Sequence, residues 1–278
     1  MTRPTEAPTS TSGTSAGSEM AAPCALKVLA EVDVIAAEDT RHTQQLLAAK
    51  GLRRPLLALH DHNEAQQIVH VLARLADGEQ VALVSDAGTP LISDPGYRLV
   101  RAAREAGVKV SPIPGACAAI AALSVAGIAS DRFVFEGFLP PKASARRERL
   151  AVLQGETRTL LFYESSHRIE ESLEDMISVL GAQRGAVLAR ELTKLFETVL
   201  SGTLDELRMQ LASDANQRKG EFVVIVQGAH ENTDARLLEG QRVFALLREH
   251  LPASKAAKLA AEISGASRKS LYSAVSTD

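Results

Sequence analysis

Six consecutive polar or ionisable residues, Glu38-Asp39-Thr40-Arg41-His42-Thr43, follow the strand pattern at residues 32–37. Packing does not call for such a run, whereas proton and phosphate chemistry does. Glu38, Asp39 and His42 can each accept a proton, and Arg41 can grip a phosphate or hold a carboxylate in a bidentate pair. The plain alternative is a solvated strand-to-helix loop in which Asp39 or Thr40 caps the helix. A second cluster, Phe162-Tyr163-Glu164-Ser165-Ser166-His167-Arg168, also closes a strand pattern and precedes a helix pattern. Its Ser and His are set aside as hydrolase machinery, because this segment carries no Gly-x-Ser-x-Gly elbow. A third segment runs Pro140-Pro141-Lys142-Ala143-Ser144-Ala145-Arg146-Arg147-Glu148-Arg149. Lys142, Arg146, Arg147 and Arg149 could track a phosphate backbone or form an ordinary solvated helix face. No aromatic residues interleave them, so base stacking is not advertised. Arg190-Glu191-Leu192-Thr193-Lys194 is a further charged strand end, read either as a salt bridge lining a cleft or as a rim loop.

A different kind of segment is Ser85-Asp86-Ala87-Gly88-Thr89-Pro90-Leu91-Ile92-Ser93-Asp94-Pro95-Gly96, which follows the apolar strand pattern of residues 81–84. A small-residue turn at the carboxyl end of such a strand lets the backbone approach a ligand closely, and open α/β sheets seat small cofactors there. Asp94 as a cap, Pro95 at the first helical position and Gly107 past the last turn predict a helix beginning at Asp94-Pro95. An ordinary strand-turn-helix connection is the competing reading.

The elements that position these groups alternate between strand and helix patterns. Residues 32–37, 56–59, 81–84 and 108–113 read as strands, and residues 42–50, 65–76 and 97–106 as helices. That alternation predicts a mostly parallel sheet covered by helices. Pro112-Ile113-Pro114-Gly115 reads as a hinge, followed by an Ala-rich helix at residues 116–126. A second series follows, with strands at 133–138, 159–163, 186–191, 198–201 and 222–226 and helices at 145–153, 169–180 and 204–211. Its adjacent strands predict a mixed sheet. Thr203 and Glu206 have the spacing of a capping box. Residues 236–276 read as helix throughout, and residues 253–263 and 268–274 resemble two short helices about Gly265. Four basic residues (Lys255, Lys258, Arg268, Lys269) face one acid, Glu262, in that stretch. Such a piece either rests on nucleic acid or caps the fold.

The 278 residues have ample material for sizeable cores, and no apolar run approaches the roughly 20 residues of a membrane helix. The start lacks the pattern of a signal peptide. Cys24 and Cys117 offer no metal spacing and no disulfide framework, so no metal is expected and a reduced cytoplasmic setting fits. The net charge of −3 confines any nucleic-acid contact to a local patch. A nicotinamide-dinucleotide enzyme is disfavoured, because no Gly-x-Gly-x-x-Gly follows a strand.

Taken in order, Ala36-Ala37-Glu38-Asp39-Thr40-Arg41-His42-Thr43, the 85–96 loop, Pro112-Ile113-Pro114-Gly115-Ala116, Phe135-Glu136-Gly137-Phe138-Leu139-Pro140, Phe162-Tyr163-Glu164-Ser165 and Arg190-Glu191-Leu192-Thr193-Lys194 resemble one family. It is the bacterial ribosomal RNA small-subunit methyltransferase I family of the tetrapyrrole methylase superfamily, and the likeness covers about residues 25–229 and, weakly, the helical tail. The resemblance implies a two-domain α/β tetrapyrrole-methylase-like fold: a parallel-sheet domain at 24–114, a mixed-sheet domain at 115–230 and a helical tail at 236–278. It implies S-adenosylmethionine as methyl donor, a cytidine ribose 2′-hydroxyl of small-subunit ribosomal RNA as acceptor, and a homodimer. Asp86, Ala87, Gly88, Thr89, Pro90, Ile92 and Ser93 would hold the methionine end of the donor. Gly115, Cys117, Ala118, Tyr163 and Val199 would line its adenosyl side. Glu38, Asp39, Arg41 and Glu164 would serve the transfer, with Glu38, Asp39 and Glu164 the candidates to accept the ribose proton. By their charge rather than by the resemblance, Lys142, Arg146, Arg147 and Arg149 are the candidates to contact that RNA.

One departure stands out. The family opens with a buried strand and a Gly-containing turn, whereas here residues 1–23 are mostly Ser, Thr, Pro, Gly and Ala and are expected to be disordered. Each fully buried aliphatic side chain contributes roughly 1.5–3 kcal/mol, so four or five of them rival the roughly 5–15 kcal/mol net stability of a domain. The N-terminal domain is therefore expected to be incomplete, and either unstable or weak in donor binding. Competing functional readings are a porphyrinoid methylase and a non-catalytic remnant that binds RNA. The basic loop at 142–149 favours a polyanion over a porphyrinoid.

Overall fold

Short apolar runs bounded by turn residues form strands buried on both faces, as a parallel sheet with helices on either side requires. In the computed structural model, which describes residues 6–11, 23–86, 88–229 and 233–273, five strands form the first sheet: Glu6–Thr11 (β1), Val34–Ala37 (β2), Leu56–Ala58 (β3), Val81–Val84 (β4) and Lys109–Ile113 (β5). Their order is β3-β2-β4-β1-β5, and every pairing is parallel. β2 and β4 are wholly buried, and their alternate residues serve two cores. Val34, Ala36, Val81 and Leu83 pack with Val71 and Leu75 of helix Glu64–Ala76 (α3) and Leu99 of helix Tyr97–Glu105 (α4). Ile35, Ala37, Ala82 and Val84 pack with Leu29 of Pro23–Glu31 (α1) and Leu47 of Thr40–Ala49 (α2).

β1 corrects the expectation of disorder across residues 1–23. Residues 6–11 are a strand seated between β4 and β5, with Thr9, Ser10 and Thr11 opposite Ala82, Leu83 and Val84 on one side and Ser111, Pro112 and Ile113 on the other. Residues 1–5 and 12–22 lie outside the described residues. The expected gap in the sheet is closed by backbone pairing, because two neighbouring strands otherwise present unmatched ladders. The register with β5 shifts between Glu6 and Thr9, where Pro8 brings no N–H to the ladder.

The start of α4 also differs from expectation. Asp94 does not cap it; the helix begins at Tyr97 after Gly96, whose φ is 118°. A Cβ at Gly96 would lie 2.6 Å from Leu83 Cδ2, so only glycine fits this turn against β4. The cap comes from the neighbouring helix: buried Glu64 accepts the backbone N–H groups of Arg98 (3.0 Å) and Leu99 (3.2 Å) through Oε1. Replacing Glu64 with Ala leaves both donors unmet. The expected cost is about 1–3 kcal/mol, read as a lower urea midpoint at unchanged slope.

The second sheet is mixed, as expected. It consists of Phe133–Phe138 (β6), Thr159–Ser165 (β7), Gly185–Arg190 (β8), Thr198–Thr203 (β9) and Glu221–Val226 (β10). Their order is β6-β7-β10-β8-β9, and only β6–β7 is parallel. One face packs on Ala143–Leu153 (α6), Ile169–Leu180 (α7) and Leu204–Ser213 (α8). The other packs on Ala118–Val125 (α5). The Thr203–Glu206 capping box forms at the start of α8.

The chain divides into two compact units. One spans residues 1–154 and 158–227 and holds both lobes, which the sequence separates into domains 24–114 and 115–230. The other spans 155–157 and 228–278 and carries the helices Thr233–Arg248 (α9), Ala253–Ser264 (α10) and Arg268–Ser273 (α11). Val243, Phe244, Ala256, Ala257, Ala260 and Leu271 form its own core. Among the described residues no helix is long and apolar enough to cross a membrane.

Candidate functional site

Because the first sheet is parallel, its carboxyl ends share one edge, and the loops that leave β2, β4 and β5 emerge together. Ala37 lies opposite Val84, and two residues further on the two loops bond: the Asp39 N–H donates to the Asp86 carboxylate at 3.1 Å. The loop after β4 is tied in turn to the segment after β5, where the Thr89 hydroxyl donates to the Ala116 carbonyl (3.1 Å). Within the same loop the Ser85 hydroxyl donates to Asp94.

A cavity of about 360 Å³ opens where this edge meets the second lobe, within the roughly 300–1,000 Å³ range of small-molecule sites. The first lobe contributes Gly88, Ile92, Ser93 and Asp94, and the start of α5 contributes Ala116, Cys117, Ala118 and Ala121. The second lobe supplies Phe138 from β6, Tyr163, Glu164 and Ser165 from β7, and Glu221, Phe222 and Val223 from β10. Ala189 and the loop residues Leu192, Thr193 and Lys194 complete the wall. The two lobes touch closely at Gly137: a Cβ there would lie 2.9 Å from Ser93 Oγ.

The cavity loops hold backbone strain. Among the described residues, four that are not glycine have positive φ: Leu91 (73°), Ser93 (64°), Glu191 (48°) and Thr193 (66°). Each conformation costs on the order of 1–3 kcal/mol and persists only where surroundings enforce it. Ser93 and Thr193 line the cavity directly. The 191–197 loop is enforced by Arg190, whose guanidinium donates to the carbonyls of Lys219 (2.6 Å) and Phe196 (3.1 Å). Lys194 Nζ bridges Glu191 (2.9 Å) and Glu221 (2.8 Å), so the salt-bridge reading of this segment is the one the structure supports. Across the cavity the Tyr163 hydroxyl accepts the Ala119 N–H (3.2 Å), and burial pushes its phenol up.

The acidic candidates sit in three different environments. Asp39 caps α2, accepting the Arg41 N–H at 2.8 Å, and pairs with the Arg41 guanidinium at 2.9 Å. These hydrogen bonds lower its carboxyl to about 2. Glu164 is buried and accepts from the Ser172 hydroxyl (2.6 Å), the Ser165 N–H (2.9 Å) and Arg168 (3.2 Å). Glu38 makes no hydrogen bond or ion pair among the described residues. Burial first, then the fields of Asp94, Asp86, Asp61 and Asp39, raises its pKa above the usual carboxylate range. Asp94 is raised as well, by burial and then by Asp86, against a lowering by Ser85.

Of the residues assigned to the donor, Gly88, Ile92, Ser93, Cys117, Ala118 and Tyr163 line the cavity. Asp86 and Thr89 stand behind it as the hydrogen-bonded braces described above. Pro90 is buried outside the wall, Ala116 takes the lining place expected of Gly115, and Ala87 lies outside the described residues. Val199 sits on β9 opposite Ala189, and it is Ala189 that faces the cavity. The sequence reading missed Asp94, Ala121, Phe138 and the β10 residues as wall, although Phe138 lies inside a motif it singled out.

The basic segment needs a correction. Arg146 is 1% exposed and pairs with Asp175 at 2.6 Å, so it cannot track a phosphate backbone. Its spacing from Leu150 and Leu153, the other buried residues of α6, places it on the core face of that helix. Arg147 shares Asp175 (2.9 Å) and Arg149 pairs with Glu136 (2.6 Å), but both remain half-exposed. Lys142 is exposed at the N-terminus of α6.

Comparison with known proteins places this arrangement. Residues 16–208 match the family model described as Tetrapyrrole (Corrin/Porphyrin) Methylases, and residues 234–276 match the RsmI C-terminal HTH domain. Relatives named ribosomal RNA small subunit methyltransferase I share 63% identity in Xylella fastidiosa and 55% in Escherichia coli O157:H7. These alignments cover 90% and 89% of this chain and 92% and 87% of the relatives. The chain belongs to the ribosomal RNA small subunit methyltransferase I family. Solved structures of a cobalt precorrin-4 methyltransferase (TM-score 0.55, 16% identity, covering 80% of this chain and 94% of that one) and of diphthine synthase (TM-score 0.58, 16%, 80% and 90%) share the family's fold.

Two outcomes test this geometry. Asp175→Ala leaves buried Arg146 without its closest partner, and the expected loss is about 3–5 kcal/mol by denaturant unfolding. Glu38 holds its proton more tightly folded than unfolded, so its ionisation at higher pH opposes folding. Glu38→Gln is therefore expected to raise the melting temperature at pH 8, by an amount that shrinks as the pH falls below the ordinary glutamate range.

Proposed function

We propose that this chain transfers a methyl group from S-adenosylmethionine to the ribose 2′-hydroxyl of a cytidine in small-subunit ribosomal RNA. The observation that carries the mechanism is Glu38: a carboxylate with no partner among the described residues and a raised pKa, set at the strand-end edge that also forms the cavity. Family membership supports the class of reaction, through relatives whose names specify ribosomal RNA of the small subunit.

The cavity fits the donor in character. Its wall is largely apolar around Ala121, Ala189, Leu192 and Val223, which suits an adenosyl group and excludes water. The fields of Asp86 and Asp94 reach Glu38, and that of Asp86 reaches Asp94, and this concentration of negative charge suits a cationic sulfonium. In this reading Gly88, Ile92 and Ser93 hold the methionine end, and Cys117, Ala118 and Tyr163 the adenosyl side. S-adenosylmethionine supplies an electrophilic methyl group; the protein aligns it with the acceptor, a contribution of up to roughly 7–11 kcal/mol.

Glu38 takes the proton of the ribose hydroxyl at its carboxylate. Asp39 is a poor base with its carboxyl at about 2, and serves instead to cap α2 and orient Arg41. Glu164, with three donors, braces the β7–α7 corner in the cavity wall. The helical unit carrying Lys255, Lys258, Arg268 and Lys269 contacts the RNA, and the working form is a cytoplasmic homodimer.

Single-turnover methylation of intact small ribosomal subunits tests the assignment. Glu38→Ala is expected to slow transfer about a hundred- to ten-thousandfold. The wild-type rate should rise with pH through a midpoint above the ordinary carboxylate range, and Glu38→Gln should abolish that dependence. A wild-type protein that leaves the subunits unmethylated overturns the function; a Glu38→Ala variant at the wild-type rate overturns the role of Glu38.

A further inference from the structure

β6 contains a bulge that redirects one aromatic side chain. Phe135 pairs with Leu161 and Gly137 with Phe162, so Glu136 is an extra residue and the alternation shifts by one. In a regular strand Phe135 and Phe138, three apart, point to opposite faces. Here Phe138 pairs with Tyr163 and joins Phe135 and Tyr163 on the cavity side, with ring centroids 5.0 Å (Phe135–Tyr163) and 5.6 Å (Phe138–Tyr163) apart at edge-on angles. Bulges of this kind re-aim side chains beside functional sites. Phe138 lines the cavity yet is 53% exposed. It is therefore not a core residue, and its free surface lies where an acceptor must approach the donor. Four residues on, past Pro140-Pro141, Lys142 is exposed and makes no side-chain hydrogen bond or ion pair among the described residues. Of the basic residues in that segment, it alone is left without an acidic neighbour in contact.

We infer that Phe138 is the stacking platform for a nucleobase of the RNA acceptor and that Lys142 engages a phosphate of the same strand. Single-stranded RNA is held in this way, with unstacked bases laid on aromatic faces and the backbone tracked by cations. The inference rests on the reading of the chain as an RNA methyltransferase and names what seats the acceptor beside the cavity.

The test uses the full chain, with filter binding and methylation of small ribosomal subunits alongside calorimetric titration of S-adenosylmethionine alone. Phe138→Ala and Phe138→Leu are expected to weaken subunit binding and raise the KM for subunits roughly ten- to hundredfold. Affinity for S-adenosylmethionine should fall by much less than affinity for subunits, and Phe138→Trp should retain subunit binding, because it keeps a π face. Lys142→Ala should weaken binding and lower the salt slope by about one charge. Unchanged subunit binding in Phe138→Ala overturns the inference, as does full binding by Phe138→Leu. A loss of S-adenosylmethionine affinity in Phe138→Ala as large as the loss of subunit binding overturns it too, placing the ring against the donor. A changed sedimentation coefficient overturns it by making the face a contact between copies. If wild-type protein binds subunits but does not methylate them, the proposed function fails, and the binding comparison still decides the role of Phe138.

Discussion

The parallel pairing of β2 with β4 is the constraint on which the rest of the site depends. With Ala37 opposite Val84, the chain must deliver Glu38 and Asp86 to one edge, and the Asp39–Asp86 hydrogen bond fixes the two loops against each other. A one-residue slip would exchange the buried faces of both strands and part the loops at the same time. Core and site are thus specified by the same register: Ile35 and Ala82 fill one helix layer, Ala36 and Leu83 the other, and the acidic residues follow as the next positions along the chain.

Environment then sorts carboxylates that the sequence presents as equals. Asp39 receives a guanidinium and a helix N-terminus and stays ionised. Glu164 receives three donors and becomes part of the β7–α7 framework. Glu38 receives only neighbours of its own sign. Its proton affinity is raised by its own burial first and then by the group around it, Asp94, Asp86 and Asp61. Strain is distributed in the same spirit. Ser93 from one lobe and Thr193 from the other reach the cavity in left-handed conformations that the rest of each lobe enforces.

Legibility in the sequence followed periodicity. β4, β6 and α7 have the bounds their patterns predict, because β4 and β6 are short apolar-rich runs with turn residues at each end and the apolar residues of α7 repeat at the helix period. Asp94-Pro95-Gly96 misled because it has the composition of a helix start. The deciding fact, a left-handed Gly96 pressed on Leu83, is tertiary. Arg146 misled by its charge, although its spacing from Leu150 and Leu153 already marked the buried face. β1 was illegible for a simpler reason: Glu-Ala-Pro-Thr-Ser-Thr has no large apolar residue from which a buried strand could be read. The strained residues had no local signal, since their φ values are set by partners far along the chain.

The place of β1 in the strand order carries a mechanical consequence. β5 has a single strand neighbour, and that neighbour is β1. The chain leaves β5 directly for Ala116 and Cys117, on its way into the second lobe. The strand that leads into the second lobe is therefore anchored to its own sheet through six residues poor in aliphatic bulk and interrupted by a proline. Interlobe alignment is thus coupled to the β1–β5 ladder, and whatever tightens or loosens that ladder bears on how firmly the two walls of the cavity are held in place.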